Sequence, residues 1–180
     1  MKILIIYSDG NIGGAEVNLS KLVLNNSYEI EYEFLTFKSK GRLFNYFEKL
    51  GISPLNYKLP KNVILKVLFL FFYIKKNHIY QIYTCGFRVS LIIRLFKLLN
   101  KNLIITNAVR CNLENNNLRE FIISFFEKKT SFLIDGYISN SQVAIDTYTN
   151  NLKIDKKKFK LIYNGIDQKK SSISSFENKK

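Results

Sequence analysis

Histidine occurs once in this chain, at His78, and cysteine twice, at Cys85 and Cys111. A structural zinc or an iron–sulfur cluster takes about four such ligands. Neither cysteine has a C-x-x-C partner, so the composition speaks against both centres. A Ser/His/Asp triad lacks the G-x-S-x-G elbow that would frame it. Cys85 has no base near it in sequence to make it a nucleophile. His78 opens an apparent strand and reads as structural. No apolar stretch of about 7–15 residues with a cleavage site follows Met1, so the start does not read as a signal peptide. Two free thiols in a reducing cytoplasm are the expectation. Long apolar runs are missing too. "NVILKVLFLFFYIKK", 62–76, falls short of the roughly 18–20 residues of a membrane span, and Lys66 interrupts it. It is expected to be a buried core helix; the other reading is a helix resting on a membrane surface, with Lys75 and Lys76 at the headgroups.

Acidic residues are scarce. Fourteen Asp and Glu face 28 Lys and Arg, a net charge of +14. Such an excess suits anionic partners: nucleic acid, acidic lipid or phosphorylated ligands. The abundance of Lys, Asn and Ile is equally what an AT-rich genome would produce. Nine of the lysines fall between Lys153 and Lys180, against three acids, so part of the excess belongs to a terminal tail. The other basic residues are scattered over several elements, and no nucleic-acid motif is present. A nucleic-acid-binding domain is therefore a rival reading and nucleic acid is not an expected partner. A non-catalytic domain that docks a protein partner is a third reading.

What is present alternates. "KILIIY" (Lys2–Tyr7) reads as a strand buried on both faces. After it, Ala15, Leu19, Leu22 and Val23 recur at helical spacing. Strand-like runs follow at 28–37, which alternates and is rich in aromatics, at 78–84 and 102–109, at 135–141 as a strand and then a cap, and at 158–167, with helical patterns between them. Gly41 opens a short helix that Gly51 stops. Leu118, Phe121, Ile122, Phe125 and Phe126 fall on one helical face, and Ser141 is placed to cap the helix after it. This predicts an α/β fold: a Rossmann-like, mostly parallel sheet with helices on both faces. With 180 residues and 47% hydrophobic content, one domain over 1–167 and a disordered basic tail over 168–180 are expected.

Between the first strand and first helix stands "SDGNIGG", 8–14. In parallel sheets ligands gather at the carboxyl ends of strands. A glycine there lets a ligand approach the backbone, and a helix N-terminus behind it suits a phosphate. The alternative is a tight turn that needs glycine for conformation alone. The spacing of Gly10, Gly13 and Gly14 is not G-x-G-x-x-G, and no G-x-x-x-x-G-K-[ST] occurs, so the dinucleotide fingerprint and the P-loop are both absent.

The opening "MKILIIYSDGNIGGAEVNLSKLV" resembles that of family-4 glycosyltransferases: strand, glycine loop, G-G-A-E, helix. "DGYISNSQVAIDTYTNNLKIDKKKFKLIYNGID" is similar to that family's stretch in which a strand ends in S-x-S and a segment closing on N-G-[IV]-D follows. "IYTCGFRVSLIIRLFKLLNKNLIITNAVR" matches its middle section. The resemblance runs from Met1 to about Asp167. It implies the N-terminal, acceptor-side domain of a GT-B enzyme. Such an enzyme transfers a sugar from a nucleotide-sugar donor, with retention, to a glycan or lipid-linked acceptor in cell-surface polysaccharide synthesis. No metal or resident cofactor is implied, the nucleotide sugar being a co-substrate. It places Gly13, Gly14, Glu16, Asn107, Ser139, Asn164 and Gly165 at the donor or acceptor site, with Ser141 at the sheet's carboxyl edge. Where many relatives carry a histidine, Thr106, Asn107 and Arg110 stand here. Arg110 is the candidate catalytic residue, stabilising charge on the leaving phosphate, or else an ordinary arginine. The E-x7-E pair of the family's donor domain does not follow Asp167. The expectation is a split, interrupted or excised enzyme, inactive without a donor-binding domain, with a separate chain carrying that domain as one partner. A cytoplasmic location, peripheral to the inner membrane face, goes with it.

Overall fold

The computed structural model describes residues 1–25, 28–38, 41–52, 55, 59–109 and 118–164. Its elements run β1 (Lys2–Tyr7), α1 (Gly14–Leu24), β2 (Glu31–Thr36), α2 (Gly41–Lys49), α3 (Val63–Lys76), β3 (Gln81–Cys85), α4 (Phe87–Leu99), β4 (Ile104–Val109), α5 (Leu118–Thr130), β5 (Gly136–Ser139), α6 (Gln142–Asn151) and β6 (Phe159–Leu161). The strands form one sheet in the order β2-β1-β3-β4-β5-β6, every pair parallel. The register aligns Tyr7 with both Thr36 and Cys85, and Val109 with Ser139, so the carboxyl ends share one rim. The expected Rossmann-like fold is observed.

Helices cover both faces, unequally. Ile5, Tyr7 and Phe34 pack with Leu43 and Phe47 of α2, and with Leu19 and Val23 of α1. On the other face Leu4, Ile6, Ile82, Ile105 and Tyr137 meet α3, α4 and α6. Successive strand residues point to opposite faces. In β2 the neighbours Phe34 and Leu35 are therefore both buried, one in each cluster. The run 28–37 consequently does not show a simple alternation.

Local rules explain the ends. The Asn62 side chain accepts from the Ile64 and Leu65 amides at 2.8 and 3.3 Å and starts α3. Ser141 accepts from the Ala144 amide at 3.3 Å, the cap its position promised. Gly51 has φ +73, the left-handed stop after α2. His78 does not begin a strand: it turns the chain after α3 with φ +52.

Two expectations about helices are corrected. The segment 62–76 is not a buried core helix. It buries Leu70, Tyr73 and Ile74 but leaves Ile64, Leu68 and Phe72 exposed, because a helix laid on one sheet face can bury only one stripe. On α5 the apolar face 118–126 points outward, with Phe121, Ile122, Phe125 and Phe126 all exposed. Ser124 and Glu127 face inward instead. Glu127 turns in because Arg94 of α4 waits there: its Nη2 lies 2.7 Å from both carboxylate oxygens, and each residue is 1% exposed. With Arg94 buried here, Glu127 turned outward would leave the guanidinium uncompensated inside, a cost of several kcal/mol that the pairing avoids.

Candidate functional site

The chain goes from β1 outward to β2, then returns past β1 to β3. At such a switch of direction the loops part and leave a crevice beyond the strand ends. A cavity of about 290 Å³ lies there. Tyr7, Ser8 and Asp9 come from the end of β1, Cys85, Gly86 and Phe87 from the β3–α4 turn, and Asn107 and Ala108 from β4. Glu16, Ile123, Glu127 and Tyr148 close it from α1, α5 and α6.

Glycine does two kinds of work around it. Gly86 has φ +111, and a Cβ there would overlap the Ser8 hydroxyl. Gly41, φ +54, abuts the backbone of Gly10, whose carbonyl accepts from the Leu43 amide at 2.9 Å. These contacts pin the loop after β1 at Ser8 and Gly10. Beyond them Asn11 to Gly14 are exposed.

The polar groups facing the cavity differ in commitment. Glu127 is held by Arg94, which also donates to the Thr130 hydroxyl at 2.6 Å. Asp9 accepts from the Asn11 amide at 3.0 Å, and Glu16 from the Gly13 amide at 2.8 Å. Asn107 is buried, and its Oδ1 accepts from the Thr84 hydroxyl at 3.0 Å. That bond leaves the amide nitrogen of Asn107 to donate toward the cavity it lines. The Ser8 hydroxyl is buried with no partner among the described residues. Behind the cavity the same is true of Ser90 Oγ, Arg94 Nε and the Tyr137 hydroxyl. Burial, and then the Glu127 charge, hold the Tyr137 phenol far above its ordinary range.

Among the described lining residues the charged groups are carboxylates, and no Lys or Arg is present. An anion inside would meet like charge. A neutral ligand rich in hydroxyls would meet acceptors at Asp9 and Glu16, donors at Ser8 and Asn107, and aromatic walls at Tyr7, Phe87 and Tyr148.

Of the residues singled out from sequence, Glu16 and Asn107 meet in this cavity. Gly13 and Gly14 stand exposed at the α1 N-terminus beside it. The expected pair of bare amides is only half there, since Glu16 occupies the Gly13 N–H; around Gly14 there is open space. Ser139, at the end of β5, is buried, and its hydroxyl is spent on the backbone of Ser141. Asn164 is exposed after β6, which lies four strands from β1, roughly 19 Å at the usual spacing. Arg110 and Gly165 lie outside the described residues, as do Cys111 and the tail 168–180. Sequence reasoning missed Ser8, Asp9, Gly86 and Glu127. Only Gly86 had a signal, a glycine set between a strand and a helix.

No protein-family model matches the chain, and no curated protein matches it in sequence. Solved structures do. The Anabaena protein HepE in complex with UDP-glucose superimposes with a TM-score of 0.71 at 17% identity, over 93% of this chain and 44% of that one. WaaB, a lipopolysaccharide outer core galactosyltransferase in its apo form, gives 0.64 at 14%, over 92% and 46%. UDP-GlcNAc 2-epimerase from Neisseria meningitidis bound to UDP-GlcNAc gives 0.66 at 13%, over 89% and 45%. The fold is that of a GT-B domain. The chain spans less than half the length of each of these structures. At these identities the likeness carries the fold alone.

Proposed function

We propose that the chain is the acceptor-side domain of a retaining, family-4-like glycosyltransferase of cell-surface polysaccharide synthesis. It works on the cytoplasmic side of a membrane and needs a donor-binding domain. The switch-point cavity takes sugar hydroxyls of the acceptor. The amides from Gly14 onward meet the diphosphate of the nucleotide sugar, which the helix N-terminus favours. The observation that carries this reading is the cavity lining: carboxylate acceptors, two uncommitted donors and aromatic walls, with no cation among the described lining residues. Neighbours of the same fold solved with UDP-glucose and UDP-GlcNAc support a nucleotide-sugar setting.

Saturation-transfer NMR of the chain with free hexoses and with UDP tests it. Hexose signals are expected to receive saturation from the wild type and to lose it in Asn107→Leu, with UDP contacts unchanged. Absence of hexose transfer, or transfer indifferent to Asn107→Leu and Ser8→Ala, overturns it.

A further inference from the structure

From Lys49 to Leu113 the sequence holds eleven Lys and Arg and no Asp or Glu. Helices α3 and α4 both come from this stretch and lie side by side, the rings of Phe71 and Phe96 meeting edge-on at 5.3 Å. Their outer faces are apolar: Phe72 is 62% exposed and Leu98 56%. Next to α4, the outward face of α5 adds Phe121 and Phe125. At the C-terminal end of α3 an open groove of about 640 Å³ has Phe69 and Phe72 for walls and Lys75, Lys76 and His78 at its rim. Among the described residues neither lysine has an ion-pair partner.

We infer that the α3–α4–α5 face docks on an anionic lipid bilayer, with the groove at Lys75 and Lys76 against phospholipid headgroups. Charge and polarity separate three occupants. A second copy would bring the same unpaired lysines against each other. A nucleic acid would meet the lysines but leave aliphatic side chains such as Leu68 and Leu98 stranded on phosphates. A bilayer with acidic lipids satisfies both parts: apolar side chains enter the acyl boundary while lysine ammonium groups snorkel to the headgroups. The inference deepens the membrane-side part of the function proposed above. Vesicle binding and hexose contact are separate measurements, so a chain that binds vesicles but no sugar refutes the sugar reading alone, and the reverse refutes this one.

The full chain is sedimented with vesicles of phosphatidylcholine alone and of phosphatidylcholine mixed with phosphatidylglycerol. It is expected to pellet with the mixture and stay in solution with phosphatidylcholine. Phe72→Asp/Leu98→Asp is expected to abolish pelleting. Lys75→Ala/Lys76→Ala is expected to lower the partition constant about 25-fold, roughly fivefold per lysine. Leu22→Asp, an exposed site on α1 across the sheet, is expected to change nothing. Should Phe72→Asp/Leu98→Asp fail to fold, the lysine pair, exposed and unpaired, carries the test. Equal pelleting with phosphatidylcholine, retained pelleting in both double variants, or loss in Leu22→Asp overturns the inference. So does a wild type that ignores vesicles and is a dimer in sedimentation velocity, or one retained by RNA instead.

Discussion

The Gly13 amide donates to Oε2 of Glu16 at 2.8 Å, so the N-terminus of α1 is capped by the chain's own carboxylate. Gly13 has no side chain to return the favour, and among the described residues this half of a capping box is the one side-chain cap at the helix start. Glu16→Ala is expected to lower stability by about 1 kcal/mol, read as a shift of the urea midpoint at unchanged m. It also removes a negative charge from the end of the helix dipole. UDP should then bind roughly two- to fivefold more tightly by isothermal titration, if the diphosphate sits there.

Three glycines separate conformation from access. Gly41→Ala is expected to be the worst substitution, since a Cβ at φ +54 meets the Gly10 backbone, which cannot swing aside. Gly86→Ala is strained by φ +111 but meets only the Ser8 side chain, so Ser8→Ala in the same chain should restore part of the loss. Losses of about 2–4 kcal/mol and 1–3 kcal/mol respectively are expected in chemical denaturation. Gly14→Ala, facing open space, should leave the midpoint nearly unchanged and weaken only the binding of UDP.

Arg94 and Glu127 form the one ion pair, among the described residues, buried on both sides. Arg94→Leu leaves an uncompensated carboxylate inside and should cost about 3–5 kcal/mol. Arg94→Leu/Glu127→Leu should recover most of it, because the penalty belongs to the orphaned charge and not to the missing attraction. A double-mutant cycle in urea measures the difference.

Tyr137→Phe should cost less than about 1 kcal/mol. The hydroxyl is buried without a hydrogen bond among the described residues, while its ring keeps the stack on Phe159 at 4.7 Å. Burial raises the phenol's affinity for its proton, so the folded state holds that proton more tightly than the unfolded state does. The corresponding stability is complete below the ordinary phenol range near about 10 and is lost as pH climbs above it. The phenylalanine variant should therefore lose less stability than wild type between pH about 9 and about 11, compared by urea midpoints.

The sheet was readable because β1 is an apolar run between clear breaks, and a βα alternation leaves few topologies. The surface of α5 was not. Amphipathic periodicity sends Phe121 and Phe125 inward, whereas the inward face carries Ser124 and Glu127, the latter paired with Arg94 thirty-three positions away. Single-helix patterns carry no information about such a partner. The cavity was partly readable. The glycine loop announced a crevice, and Glu16 and Asn107 were found there through the family resemblance. Ser8 and Asp9 follow β1 and Glu127 stands on α5, more than a hundred positions on, so only the packed fold brings them to one cavity, and no local pattern encodes that. Ser139 illustrates the opposite error: the right end of a strand, with a hydroxyl turned to its own backbone.

The 2-1-3 strand order has a consequence for how the molecule is made. The first strand leaves the ribosome early, yet the neighbour on its inner side, β3, follows roughly seventy residues later, some 4–15 s at ordinary translation rates. Through that interval "KILIIY" has only the edge strand β2 to hold it. Nascent chains stalled before Gln81 should be bound by chaperones that grip extended apolar segments, and those stalled after Cys85 should shed them.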